Sequence, residues 1–229
     1  MTRIAFGCLL LSLIAAPVTG SCQVPSQSAN TPVELPQFWD ASAKPVNVPA
    51  PNGILVLKVS GKHTGKLYPD DEWVPDYYLE MRGKRLQPSI KCYAMPHALW
   101  APDSTWLAIT SSNGGLVGNY KVLTYNIEDG KVVAHSVIRA VQADLARRFP
   151  AGINPPGTNF FSDAERKGFA KDTSWVNVRA IRWLADDELA VVASVPPSSG
   201  YGANSGKERA YVIDPTRGTI IRSYTQAER

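Results

Sequence analysis

The stretch Trp100-Ala101-Pro102-Asp103-Ser104-Thr105-Trp106-Leu107-Ala108-Ile109-Thr110 decides the fold class, together with two β-rich runs downstream of it. These are Tyr120-Lys121-Val122-Leu123-Thr124-Tyr125 and Lys131-Val132-Val133-Ala134-His135, with Asp129-Gly130 between them. Pro102 and Asp103 punctuate the chain, because proline fixes φ and aspartate bonds its own backbone in turns. Asp129-Gly130 supplies the two positive-φ positions that a tight hairpin needs. Three short β-rich runs joined by such turns read as an antiparallel meander.

A second stretch reads alike: Trp183-Leu184-Ala185-Asp186-Asp187-Glu188-Leu189-Ala190-Val191-Val192. Each unit is an aromatic, an acidic turn and an apolar strand. Each is followed, after a Gly/Ser-rich loop, by a strand pair. In the first unit that pair spans Val122 to Val133. In the second it spans Tyr211 to Ile221 around Asp214-Pro215-Thr216-Arg217-Gly218. Further strands are expected at 54–59, 77–81, 175–183, 210–213 and 219–224. Val137, Val141, Leu145 and Phe149 recur every four residues, which places them on one face of a helix ended by Pro150 and Gly152. A shorter helix is expected from Ser162 to Gly168, with Ser162 and Glu165 as a capping box.

Trp100 to Ile109 with Asn126 to Gly130, and more loosely Trp183 to Val192, resemble the WD40-like repeat of TolB-type β-propellers. The resemblance implies sheets of hairpins with the aromatic packed between neighbouring sheets. A propeller blade takes about 40–45 residues, so about 175 residues after Gly53 allow at most four blades. Only two units are recognisable. The expected fold is therefore mainly β: an antiparallel β-meander domain with blade-like hairpins and one or two helices, not a closed propeller.

Composition agrees with one packed domain. The chain has 229 residues, of which 44% are hydrophobic and 19% charged, enough to build a core and too few charges for a disordered polymer. A net charge of +4 is too mild to argue for nucleic acid. Three cysteines exclude a disulfide-dense scaffold and a multi-cysteine metal framework.

The N-terminus speaks to location. Arg3 precedes an uncharged apolar run from Ile4 to Val18, shorter than the ~20 residues that span a bilayer. Basic, apolar and then small residues read as a secretory signal over residues 1–21. Val18-Thr19-Gly20-Ser21-Cys22 resembles the lipobox of bacterial lipoproteins, with Thr19 where leucine is usual. That resemblance implies acylation of Cys22; simple secretion is the competing outcome. Gln23 after the cysteine implies, by similarity to Gram-negative lipoproteins, the outer membrane. More than one acyl chain on Cys22 would anchor firmly, at about 0.8 kcal/mol per buried methylene. An unacylated Cys22 could instead pair with Cys92, which otherwise reads as a small buried hydrophobe. Residues 22–52 are rich in proline and serine and are expected as a tether with extended pieces at 33–36 and 45–49. Residues 53–229 form the single β-rich domain.

Catalytic signatures are scarce. His63, His97 and His135 lack metal-ligand spacing, and no H-E-x-x-H, C-x-x-C or G-x-S-x-G occurs. Gly61-Lys62-His63-Thr64-Gly65-Lys66 has the wrong spacing for a phosphate loop and reads as a loop between strands. No metal site and no cofactor are expected. Asp70, Asp71, Trp73, Asp76 and Tyr77 combine acids with aromatics, and Tyr201 sits in the long loop 196–206; these are the candidate partner-binding residues. Arg82, Lys84, Arg85 and Lys91 read as a solvated hairpin face. The reading is a non-catalytic, membrane-tethered envelope lipoprotein that binds a protein or envelope component, an immunity or inhibitor protein being one form. The alternative is a secreted periplasmic hydrolase using His97 or His135 with Asp103.

Overall fold

The computed structural model describes residues 30–37, 44–63, 73–92, 94–114, 119–150, 173–197 and 199–225. Among the described residues the molecule is mainly β, with three antiparallel sheets, one α-helix and a short 3-10 helix at Ser199–Asn204, and it closes into neither a barrel nor a propeller. The first sheet has the order β2 (Val46–Pro49), β3 (Leu55–His63), β4 (Trp73–Met81), β5 (Lys84–Arg85). The second has the order β1 (Val33–Glu34), β6 (Ala94–Trp100), β7 (Leu107–Ser112), β8 (Tyr120–Glu128), β9 (Lys131–Ser136). The third is β10 (Asn177–Ala185), β11 (Glu188–Ser194), β12 (Glu208–Ile213), β13 (Ile220–Tyr224). Helix α1 (Arg139–Arg148) joins the second sheet to the third.

The second sheet is the middle layer, and its alternation shows why. Leu107 and Ile109 of β7 pack into one core with Leu57, Val59 and Leu79 of the first sheet. Ala108, between them, faces the other core, with Val178, Leu189 and Tyr211 of the third sheet. Ala98 and Trp100 likewise face the first sheet while Leu99 faces the third. A strand buried on both faces reads as a continuous apolar run, and Leu107-Ala108-Ile109 does so. Each fully buried Leu or Ile contributes about 1.5–3 kcal/mol.

Two aromatics of the repeated motif fasten these layers. Trp100 Nε1–H donates to the Val48 carbonyl over 3.1 Å, from the middle sheet to the first. Trp183 Nε1–H donates to the Leu99 carbonyl over 3.1 Å, from the third sheet to the middle one. The motif's turns also form as their residues dictate. Asp129 and Gly130 take φ of 50° and 72°, closing the β8–β9 hairpin. Asp214 Oδ1 accepts from the Thr216 and Arg217 amides, closing the β12–β13 turn.

Strand β6 was not visible in the pattern. Pro96 interrupts it, Met95 takes φ of 47°, and the register shifts between Ala94 and His97. Gly61-Lys62-His63, expected in a loop, continues β3 and pairs with Pro75, Val74 and Trp73. The helix from Val137 forms as its spacing requires, with Val141 and Leu145 fully buried. The second expected helix, 162–168, and the signal segment lie outside the described residues.

Part of the stretch read as a tether is packed onto the domain as a strap. Asn30 Oδ1 accepts from the Trp183 amide on β10 over 2.7 Å. Val33 and Glu34 pair with Ala98 and His97 of β6. The Pro36 carbonyl accepts from the Tyr77 hydroxyl of β4 over 2.6 Å. Residues 30–36 therefore touch all three sheets. Leu35, Val48 and Ala50 from the same stretch are buried in the core.

Candidate interaction surface

The candidate residues divide into buried ones and surface ones. Tyr77 is 3% exposed, and its hydroxyl is used up on Pro36. Burial, with a smaller contribution from Cys92, pushes its phenol far above the ordinary tyrosine range. Tyr201 is also buried, packed against Trp175 at 5.2 Å between ring centroids in the core shared with the third sheet. Both expectations of a partner-facing tyrosine are corrected: each side chain has more apolar surface to bury than its loop or strand could leave in water, and each serves the interior. Asp76 stays at the surface, where Arg85 grips it through two hydrogen bonds of 2.7 and 2.9 Å. The same guanidinium covers the Tyr78 ring at 4.1 Å and bonds Ser89. Asp76 is thereby committed to a local hairpin contact. For Trp73 the structure gives only the backbone, paired with His63 at the end of the β3–β4 ladder. Cys22, Asp70 and Asp71 lie outside the described residues.

His97 and His135 are engaged locally. His97 Nδ1 lies 3.0 Å from the Met95 carbonyl. His135 Nε2 lies 3.0 Å from Asn126 Oδ1, with its ring edge-on to Trp106. Asp103 caps its own turn by accepting from the Thr105 amide and hydroxyl. The hydrogen bonds of His97 and His135 thus run to a main-chain carbonyl and a side-chain amide, and those of Asp103 stay within its turn. Among the described residues, no group of three or more His, Cys, Asp or Glu is placed to hold a metal ion. Cys92 is a half-buried free thiol against the first core, and burial raises its pKa well above the ordinary range.

The acid with the most concentrated partnership is structural as well. Asp144 on α1 receives Arg147, Arg148 and the Tyr211 hydroxyl. Burial pushes its carboxyl up, but the three hydrogen bonds outweigh that and hold it below the usual carboxylate range. They tie the helix to β12 of the third sheet.

Among the described residues, what remains open is the outer face of the third sheet. Its inner face packs on the middle sheet and α1. The outer face carries a groove of about 540 Å³ lined by Ile181, Leu184, Val192, Ala210, Val212 and Tyr224, with Arg182 beside them. Val212 is buried to 1% exposure, whereas Ile181 and Leu184 are 44% and 41% exposed. Arg182 has no ion-pair partner among the described residues, while Arg222 pairs with Glu188. Aliphatic side chains grouped along a groove are uncommon on a surface with nothing to meet. The sequence pattern hid this face. Leu189 to Ala193 is apolar at every position, which reads as a strand covered on both sides, and the described structure covers one.

Comparison with protein-family models, with curated proteins and with solved structures found no match.

Proposed function

We propose that this chain is a membrane-tethered, non-catalytic lipoprotein of the bacterial envelope that binds a protein or other envelope component through the outer face of its third sheet. The observation that carries the reading is the apolar groove, with Ile181 and Leu184 exposed beside it. Recognition surfaces combine an apolar centre with a few polar groups at the rim, and Arg182 and the Arg222–Glu188 pair supply the latter. The motif resemblance at Cys22 supports the tether and the periplasm-facing, outer-membrane location. The local engagement of His97, His135 and Asp103 supports a binding role over hydrolysis.

The test is a crosslinked affinity purification from native envelope, with mass spectrometry of the mature N-terminal peptide. A triacylated Cys22 and a stoichiometric component crosslinked through β10–β13 are expected. An unmodified N-terminus with no crosslink to that sheet would sink the reading.

A further inference from the structure

We propose that Met95 is a modification site, oxidised by a peroxide to one epimer of its sulfoxide because the Tyr120 hydroxyl covers one side of the sulfur. This chemistry is independent of what the third sheet binds.

The bulge in β6 sets the position. Met95 takes φ of 47° where the β6–β7 register shifts, a left-handed backbone that residues with a Cβ seldom adopt. Gln37 Oε1, at the end of the strap, accepts from the Met95 amide over 2.9 Å and holds the residue there. Met95 is 44% exposed. The chain's other methionines are Met1 and Met81. Met81 is half-buried at the end of β4, against the core of the first sheet. Met1 lies outside the described residues.

A thioether sulfur carries two lone pairs and accepts hydrogen bonds weakly. The Tyr120 hydroxyl donates to Met95 Sδ over 3.1 Å and occupies one of the two. The Tyr120 ring is itself held by the Arg179 guanidinium, 4.0 Å from its centroid. The second lone pair is left to solvent. It attacks one oxygen of the peroxide, so that an S–O bond forms and the O–O bond breaks. With hydrogen peroxide, the departing hydroxide takes the proton from the transferred oxygen and leaves as water. The sulfur is oxidised and the peroxide reduced, which gives the reversible sulfoxide. Sulfoxide sulfur is a stereocentre, and attack at one lone pair alone gives one configuration. An exposed methionine with no donor on its sulfur gives both. The new oxygen is a better acceptor than the thioether, and the Tyr120 hydroxyl stands beside it.

The experiment treats the purified full chain with hydrogen peroxide, digests it, and reads methionine oxidation peptide by peptide by mass spectrometry. Met95 should oxidise about tenfold faster than Met81. The oxidised Met95 peptide is then divided between two methionine sulfoxide reductases, each specific for one epimer. One should restore about nine-tenths of it and the other about one-tenth. Tyr120→Phe keeps the ring beside Arg179 and removes the donor, so each reductase should restore about half. Met81 reports on folding in that variant, since a rate as slow as in the parent shows the core intact. Oxidising the parent in urea should give the same even division without any substitution. Equal repair by the two enzymes in the native parent overturns the inference. So does Met81 oxidising as fast as Met95, or a selectivity that survives in Tyr120→Phe or in urea.

Discussion

Trp100 and Trp183 do the same work one sheet apart. Each indole is buried between two sheets and donates its Nε1–H over 3.1 Å to a main-chain carbonyl of the neighbouring sheet, Val48 for Trp100 and Leu99 for Trp183. Replacing either by Phe keeps most of the apolar bulk and deletes the hydrogen bond between the sheets. Such a loss costs about 0.5–1.5 kcal/mol. Urea denaturation of Trp100→Phe and Trp183→Phe should show both destabilised by similar amounts. Two neutral variants would mean that the layers are held by packing alone.

Gly218 is pinned between backbone strain and a neighbour. It takes φ of 66°, and a Cβ there would meet the Val137 Cα at 2.9 Å. The obstacle is main chain, which cannot swing aside. Gly218→Ala should lose about 2–4 kcal/mol, combining the left-handed penalty with overpacking. Gly83→Ala is the control, because it takes φ of 78° with nothing nearby and should lose only the first part. Equal losses at both positions would remove the close approach from the account.

Asp144 makes stability depend on pH. Its folded pKa is depressed, so the stabilisation it gives is complete above the unfolded value of about 3.9 and is lost as the pH falls through the folded one. At neutral pH, Asp144→Asn should cost about 1–2 kcal/mol, the weight of charge-assisted hydrogen bonds. The difference from the parent should shrink below about pH 4. A gap that stays constant down to pH 2 would assign the loss to packing rather than to charge.

The strap can be loosened at either end. Tyr77→Phe deletes the bond to Pro36, and Asn30→Ala deletes the acceptor for the Trp183 amide. Each should cost about 1 kcal/mol. Limited proteolysis is the sharper measurement, since cleavage within residues 30–37 should accelerate before the sheets are cut. Unchanged cleavage there would show that the β1–β6 pairing alone holds the segment.

Cys92 should be a quiet thiol. Burial raises its pKa, and the thiolate is the reactive form. Its reaction with a water-soluble disulfide reagent at pH 8 should be slower in the native chain than in urea by about 100-fold or more. A native rate equal to that in denaturant would show that the side chain reaches solvent.

The sequence carried the architecture well where turns and strands reinforced one another. Asp129-Gly130, Asp214 to Gly218 and the paired tryptophan motifs placed the hairpins of the second and third sheets and their stacking. It carried less where a long-range partner overrode local pattern. β6 hides behind Pro96 and a bulge, and it is a strand because β7 and the strap lie alongside it. The strap itself looks like linker because Pro32 and Pro36 break its pattern, yet Leu35 is buried and Asn30 finds Trp183 across the fold. Tyr77 beside Asp76 suggested a surface pair. Alternation along β4 instead sends Asp76 out and Tyr77 in, a distinction the expected start at Tyr77 could not make. The outer face of the third sheet was illegible for a different reason: a covered apolar face and an uncovered one spell the same residues.

The strap also sets an order of events during synthesis. Asn30 leaves the ribosome 153 residues ahead of Trp183, whose amide it will accept. Tyr77 and β6 arrive much sooner. The emerging chain can lay Pro36 and β1 against the first two sheets early, but the junction at Asn30 waits until β10 has been made. Closure of the N-terminal segment is thus a late step, and it reports that the third sheet has arrived.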